Sequence, residues 1–147
     1  MVDRKFNSVI VNVFFRDDED VEKIKKAFLN LFPFDISEIL IERKNRGFEE
    51  KIIRELNVEL EKNAQIMLFL KDLSSKLVAE DKNKLVKEFD SRFSDEYFFF
   101  MRLDKDSLLN GHYVIVDSGN CFHIKFGILA YPKNKINALK NVEELLK

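Results

Sequence analysis

The sequence predicts a single α+β domain over residues 1–147, a two-layer sandwich in which a mainly antiparallel or mixed sheet carries helices mostly on one face. Its length of 147 residues suits one domain with one core. Segments with an apolar period of two alternate with segments of helical period. Their order is β-α-β-β-α-α-β-β-β-α, and such runs of strands are typical of α+β domains.

The N-terminal third contains one strand and one helix. A strand is predicted near residues 8–15, because apolar residues occupy every second position from Val9 to Phe15. The following segment RDDEDVEKIKKAFLNLFP has its apolar residues on one helical face. Asp17 or Asp18 is available as the N-cap, and Pro33 is expected to end the helix.

Two further strands are predicted near residues 36–43 and 51–60. The second of them is assigned from the alternation of Leu56, Val58 and Leu60 with polar residues. The two strands are expected to pair antiparallel around the loop RKNRGFEE.

The C-terminal half begins with a helical pair, since apolar residues between residues 63 and 93 recur at helical spacing, with a polar break near Glu80 and Asp81. A strand near 97–103 follows, and strands near 112–117 and 121–130 are expected to form a hairpin around Ser118-Gly119. A short helix within residues 133–147 closes the chain.

The stretch Arg102-Leu103-Asp104-Lys105 lies where a predicted strand meets a predicted helical turn. An aspartate in this position is typical of an N-cap. We therefore expect Asp104 to accept a hydrogen bond from the backbone amide of Asp106 or Ser107, a structural role.

Composition limits the partners and the location. The 25 Lys and Arg against 26 Asp and Glu give a net charge of −1, so any site for an anion must be local. The longest apolar runs are far shorter than the ~18 residues needed to cross a bilayer, and no leader opens the chain, so no membrane contact and a cytoplasmic location are expected. The single cysteine, Cys121, fits a reducing compartment.

Catalytic and metal chemistry find little support in the sequence. The four glycines are scattered, so no phosphate-binding loop exists, and no nucleophile elbow occurs. A metal site would have to draw on His112, Cys121 and His123, the only His and Cys residues in the chain, and the predicted hairpin holds them too far apart for one ion. We expect no catalytic residue, no metal and no cofactor.

Two segments carry a family resemblance. Arg102-Leu103-Asp104-Lys105, a Leu-x-Gly turn at Leu109 to Gly111, and Ala130-Tyr131-Pro132 resemble the C-terminal half of an archaeal RNA-binding family also called predicted exosome subunit. The helix segment from Glu22 to Ala27 and its exit Leu29-Asn30-Leu31-Phe32-Pro33 are similar to the first helix of that family. The resemblance implies RNA binding and a fold like that of ribosomal protein L-five.

The chain resembles a divergent member of that family. Arg16-Asp17-Asp18-Glu19 stands where the family has His-Ala-Thr-Glu, and the loop after the second strand lacks most of the family's glycines and its histidine. Asp106 replaces the glutamine that follows the Arg-Leu-Asp-Lys motif.

Binding to RNA requires cations along a phosphate track and planar groups that stack on bases. The candidate cations, all at predicted loops, strand ends or outer strand faces, are Arg43, Lys44, Arg46, Arg102, Lys105, Lys125, Lys133 and Lys135. Phe48 and Tyr131 are the candidate stacking residues. We expect the cluster Arg43, Lys44 and Arg46 to contribute most, followed by Arg102 and Lys105.

These observations favour an RNA-associated binding module without catalysis, acting as an accessory subunit of an RNA-processing complex. The alternative is a structural or assembly protein that forms a homodimer without nucleic acid, through the second-face residues Phe14, Phe98 and Phe100. An enzyme of unknown type is the third hypothesis.

Overall fold

The computed structural model describes residues 4–46 and 51–147. The strands are β1 (Phe6–Arg16), β2 (Ile41–Arg46), β3 (Ile52–Leu60), β4 (Phe98–Asp104), β5 (Ile115–Val116) and β6 (Cys121–Ile128). The helices are α1 (Val21–Asn30), α2 (Asn63–Lys76), α3 (Ala79–Lys87), α4 (Phe89–Arg92), α5 (Lys105–Leu109) and α6 (Lys135–Leu145). The predicted α+β class is confirmed, and α4 and α5 add two short helices to the predicted order.

The six strands form one open antiparallel sheet in the order β2-β3-β1-β6-β4-β5. The long strand β1 lies at its centre and pairs with β3 and β6. In this register Val11 is opposite Val58 on one side and Ile124 on the other. All three residues are buried and point to the helices, so one face of the sheet is apolar along its width.

The core lies between that face and the helical layer. Val9, Val11 and Val13 of β1 are fully buried, as are Phe28 of α1 and Phe69 of α2. These residues belong to one continuous apolar cluster. Complete burial of such a side chain contributes roughly 1.5–3 kcal/mol to the free energy of folding. Burial of this cluster is therefore the main contribution that stabilises the packing of the helices on the sheet.

Helix α1 begins two or three residues later than predicted. Its N-cap is Asp20, whose carboxylate accepts a hydrogen bond from the backbone amide of Lys23 at 3.2 Å. The predicted caps have other partners, since Asp17 forms an ion pair with Arg54 and Asp18 one with Arg16.

The second strand is also displaced from its prediction. The amide of Leu40 donates to the carbonyl of Ile36 at 2.8 Å, which is a helical turn, and the strand starts only at Ile41. Strand β2 then continues to Arg46, because its backbone pairs with β3 as far as Ile52. The cations predicted for a loop therefore lie on an edge strand.

The break in the helical pair lies at Leu77 and Val78, not near Glu80 and Asp81. Both carboxylates instead occupy the first turn of α3. Negative side chains are favourable there because they face the positive end of the helix dipole.

The predicted hairpin between β5 and β6 is wrong. Both strands pair with β4, which lies between them, so Arg102 faces Val116 on one side and His123 on the other. Ser118-Gly119 favours a tight turn locally. Pairing of β6 with the two long strands β1 and β4 buries its apolar residues, and this burial outweighs the local preference for a hairpin. Strand β5 is reduced to two residues at the edge.

Asp104 takes the predicted role as N-cap of α5. Its carboxylate accepts hydrogen bonds from the amide of Ser107 at 3.1 Å and from the hydroxyl of the same residue at 2.6 Å. Within the Arg-Leu-Asp-Lys stretch, Asp104 therefore has a structural role, since β4 ends at this residue and α5 begins at the next.

Candidate nucleic-acid interface

The sheet has a second face that points away from the helical layer, here called the open face. Since side chains alternate along a strand, the burial of Val11 and Val13 directs Asn12 and Phe14 to this face. Its aromatic residues remain accessible, with Phe14 46% and Phe100 39% exposed. Accessible aromatic rings on a sheet are surfaces on which bases can stack.

Strands β4 and β6 together place a cation between aromatic rings. Phe100 is directly opposite Lys125 in the pairing of the two strands. The ammonium of Lys125 lies 4.3 Å from the ring centre of Phe98 and 5.9 Å from that of Phe100. The aromatic rings hold the lysine over the sheet, so its charge stays on the open face beside two stacking surfaces.

Arg102 and His123 extend this arrangement along the sheet. They are direct cross-strand partners, and the Arg102 guanidinium donates to the carbonyl of Asp117 at 3.2 Å. Burial, and then the charges of Arg102 and Lys105, lower the pKa of His123. The imidazole is therefore neutral at pH 7, and its ring centre lies 6.5 Å from that of Phe14 in an edge-on arrangement.

These residues surround a shallow depression of about 320 Å³ in the open face. The side chains that shape it are those of Asn12, Phe14, Phe100, Arg102, His123 and Lys125. The lining contains two cations and no carboxylate. Within residues 4–46 and 51–147, neither Arg102 nor Lys125 forms an ion pair with an acidic side chain, so both charges remain available to an anion.

A second group lies near the Phe98 end of β4. The ammonium of Lys133 is 4.8 Å from the ring centre of Tyr97, and the side chain of Tyr131 is 79% exposed. Phe98, Tyr131 and Lys133 line one small cavity of about 250 Å³. Lys135 is not part of this group, because it does not line the cavity and its ammonium forms an ion pair with Asp90 at 2.7 Å.

Lys105 is not at the surface as the sequence suggested. It is only 3% exposed, and its ammonium donates to the carbonyl of Phe14 at 2.8 Å and to Glu19 at 3.2 Å. The residue follows Asp104 at the start of α5, which turns its side chain inward. We remove it from the candidate phosphate contacts.

Arg43, Lys44 and Arg46 do not form one cluster. Side chains alternate along β2, so Arg43 lies on the open face, whereas Lys44 and Arg46, two residues apart, lie on the opposite face. Arg43 is paired with Glu55 at 3.1 Å. Phe48, the stacking candidate from the same segment, lies outside the described residues.

The distances expected between the histidine and cysteine side chains assumed a hairpin of β5 and β6. They differ in the structure because β4 lies between these two strands. Cys121 Sγ lies 3.7 Å from His123 Nε2 on the same strand, while His112 is exposed in the segment before β5. Among residues 4–46 and 51–147, no group of three or more His, Cys, Asp or Glu side chains is placed to bind a metal ion. Burial raises the pKa of the Cys121 thiol, so it is protonated at pH 7.

None of the helices in the described part of the chain has the length and apolar character required to span a membrane.

Comparison with known proteins shows the family to which the chain belongs. A family model described as RNA binding matches residues 8–128, from the third residue of β1 to the end of β6. The chain belongs to this RNA-binding family. The matched range includes every residue that shapes the depression.

Individual relatives are similar to this chain over nearly its whole length. The RNA-binding protein PAB1135 of Pyrococcus abyssi is 25% identical over 143 residues, which cover 95% of this chain and 93% of that protein. A solved structure from Archaeoglobus fulgidus is 26% identical, with a TM-score of 0.83, and covers 96% of this chain and 99% of that one. A structure from Methanothermobacter thermautotrophicus has 22% identity, a TM-score of 0.77 and coverage of 97% and 99%, which shows the shared fold.

Sequence reasoning did not assign Asn12, Phe100 or His123 to an RNA site. From the sequence, Phe14, Phe98 and Phe100 are expected at a subunit contact in the homodimer alternative, and His123 is considered only as a metal ligand. The available signal was the alternation itself, which puts Phe98, Phe100 and Arg102 on one face of one strand.

Proposed function

We propose that this protein binds single-stranded RNA on the open face, along strands β4 and β6. The observation that carries the proposal is the position of Lys125 between the rings of Phe98 and Phe100, with Arg102 next along the same face. Single strands are bound by aromatic surfaces that stack bases and by cations that follow the backbone. Both kinds of group lie side by side here.

The arrangement supports a track several nucleotides long. Phe98 and Arg102 are four residues apart on β4, which corresponds to about 13 Å at ~3.3 Å per residue. Lys133 and Tyr131 extend the track beyond Phe98. On the opposite side of β1, strand β3 directs Glu55 and Glu59 to the open face, which confines favourable contacts for phosphate to the β4 and β6 side.

The chain carries a net charge of −1, so attraction of RNA over long distances is weak. Affinity must come from a few phosphate contacts together with stacking. Binding is therefore expected to weaken as salt increases, with a slope of log K against log salt that is set by the small number of phosphates contacted.

We further propose that the protein acts in the cytoplasm as an accessory subunit of an RNA-processing complex and carries out no catalytic step. This role rests on the family resemblance of the Arg-Leu-Asp-Lys and Ala-Tyr-Pro segments.

A homodimer through the open face is the second candidate. The exposure of Phe14 and Phe100 favours it, because apolar surface on a sheet also suits a subunit contact. RNA and a second subunit would compete for this face, so the two candidates differ in a measurable way.

The test is titration of a fluorescently labelled single-stranded RNA of mixed sequence at ~50 mM salt. Phe100→Ala and Lys125→Ser are expected to weaken binding about tenfold each, because base stacking alone contributes ~1–3 kcal/mol. Leu68→Ala and Lys71→Ser are the matched controls, since both residues are exposed on α2, on the helical side of the sheet.

Absence of binding by the unaltered protein would overturn the RNA proposal. A dimer in analytical ultracentrifugation that Phe100→Ala dissociates would then support the second candidate. Equal losses in the α2 controls and in the open-face variants would show that RNA binds elsewhere.

A further inference from the structure

The small cavity of about 250 Å³ at the Phe98 end of β4 is separate from the depression, although both lie along strands β4 and β6. The two share no lining residue. Lys125, at the edge of the depression, lies with its ammonium 4.3 Å from the ring centre of Phe98, at the edge of the cavity. The surface along these strands therefore has two adjacent but distinct recesses.

A bulge in β1 places the carboxamide of Asn7 in this cavity. Phe6 pairs with Ile128 and Ser8 with Gly127, so Asn7 is an extra residue in β1. Such bulges re-aim a side chain and are frequent next to active sites. Gly127 has no side chain of its own, and the Oδ1 of Asn7 lies where a Cβ at Gly127 would stand.

The Asn7 side chain is accessible to a ligand, since this residue is exposed and lines the cavity. A carboxamide both donates and accepts hydrogen bonds, so it can pair with an edge of any of the four bases. Contact with Asn7 is therefore expected to hold a base without selecting its identity.

The other walls of the cavity supply an aromatic ring and a cation. Tyr131 is 79% exposed, more than any other large apolar or aromatic side chain in the described part of the chain. The ammonium of Lys133 lies 4.8 Å from the ring centre of Tyr97, which keeps the charge beside the cavity. Glu96 also lines the cavity, so a phosphate is expected on the side of Lys133 and away from this carboxylate.

We propose that this cavity is a second base-binding subsite, in which one base of a single-stranded RNA stacks on Tyr131 and contacts the Asn7 carboxamide, while its phosphate contacts Lys133. Another base of the same strand occupies the depression. Aromatic rings bind any base in this way, because every base has a π face. This inference rests on the proposed function and gives the RNA a second attachment point that is independent of the first.

Fluorescence tests the stacking on Tyr131. The chain contains no tryptophan, so Tyr131→Trp introduces a single reporter at the cavity. Addition of a uridine decamer at ~50 mM salt is expected to quench its emission, since a stacked base contacts the indole ring directly. Leu68→Trp is the matched control, because Leu68 is 54% exposed on α2, and its emission is expected to stay unchanged.

Affinity measurements test whether the subsite contributes independently of the depression. Tyr131→Leu keeps an apolar side chain but removes the ring, and it is expected to weaken binding of the decamer about tenfold, whereas Tyr131→Phe retains the affinity. Combination of Tyr131→Leu with Phe100→Ala is expected to weaken binding about a hundredfold, because independent contacts add in free energy. Tyr131 is exposed, so these changes leave the core intact.

The outcomes separate this inference from the proposed function. If the unaltered protein does not bind the decamer, both are overturned. If it binds, three results would each refute the second subsite while RNA binding stands. These are emission of Tyr131→Trp that changes no more than that of Leu68→Trp, unchanged affinity of Tyr131→Leu, and a double variant that loses no more affinity than Phe100→Ala alone.

Discussion

The ammonium of Lys105 lies 2.8 Å from the backbone carbonyl oxygen of Phe14. The same group contacts Glu19 at 3.2 Å, and the lysine is 3% exposed. One buried charge therefore connects the start of α5 to the end of β1 and to the turn before α1. Phe14 is also a wall of the depression, so Lys105 supports this wall from inside the fold without lining the depression itself.

Replacement of Lys105 by Met is expected to lower the free energy of unfolding by about 2–4 kcal/mol. The aliphatic volume remains, but Glu19 and the Phe14 carbonyl lose their partner in a buried environment. Denaturant unfolding measures the change. Lys71→Met on the exposed surface of α2 is the control and is expected to stay within about 0.5 kcal/mol. A loss for Lys105→Met as small as the control's would contradict the structural role.

The double replacement of Arg102 and Lys125 by Ser is expected to flatten the dependence of log K on log salt. Each phosphate contact on a single strand contributes a slope of about 0.7, so the loss is about 1.4. The measurement is a series of RNA titrations between ~50 and ~200 mM salt.

The triple replacement of Arg43, Lys44 and Arg46 by Ser compares the two candidate regions. Because only Arg43 lies on the open face, and it is paired with Glu55, the slope is expected to change less than in the Arg102 and Lys125 variant. A larger change in the triple variant would move the principal RNA site to strand β2, as the sequence alone suggested.

Stability is expected to depend on His123 between about pH 7 and pH 5. Burial lowers the pKa of this histidine in the folded protein, so the unfolded chain, with a pKa near ~6.5, binds the proton first as pH falls. The free energy of unfolding should therefore decrease on acidification through this range and level off once the folded form is protonated as well.

The His123→Gln variant should lose that part of the pH dependence, as judged by unfolding at pH 5 and pH 7.5. His112→Gln, an exposed position, is the control and should behave as the unaltered protein does. If the two variants show the same pH dependence, burial of His123 is not the cause.

Replacement of Asp104 by Ala is expected to cost about 1 kcal/mol in unfolding free energy. Its carboxylate accepts from the amide and the hydroxyl of Ser107, and loss of an N-cap side chain typically costs 0.5–2 kcal/mol. Asp106→Ala, an exposed neighbour in the first turn of α5, serves as the control. Equal stabilities of the two variants would argue against the capping role.

The sequence predicted most of the fold because local patterns decide most of it. The alternation from Val9 to Phe15 identified β1, and helical spacing identified α1 and α2. The partner of β6 was missed because pairing is a tertiary property. Val116 and Cys121 are close in the chain, yet the burial gained by inserting β4 between their strands outweighs the local turn.

The candidate site was only partly predictable for the same reason. Lys125 and Arg102 were identified as cations, but their proximity depends on the register of β4 with β6. Lys105 was assigned to the surface because lysines usually lie there, and only the fold shows its internal partners.

The order of strands in the sheet has a consequence for synthesis on the ribosome. Strands β1, β2 and β3 are made early and can pair at once, whereas β1 must wait for β6, more than a hundred residues later, before its other side is covered. Until residue 128 has left the exit tunnel, the nascent chain presents β1 and β4 as two uncovered strand edges with apolar faces. Such edges are where chains associate wrongly, so cells that make this protein are expected to protect its nascent chain until the last strand inserts.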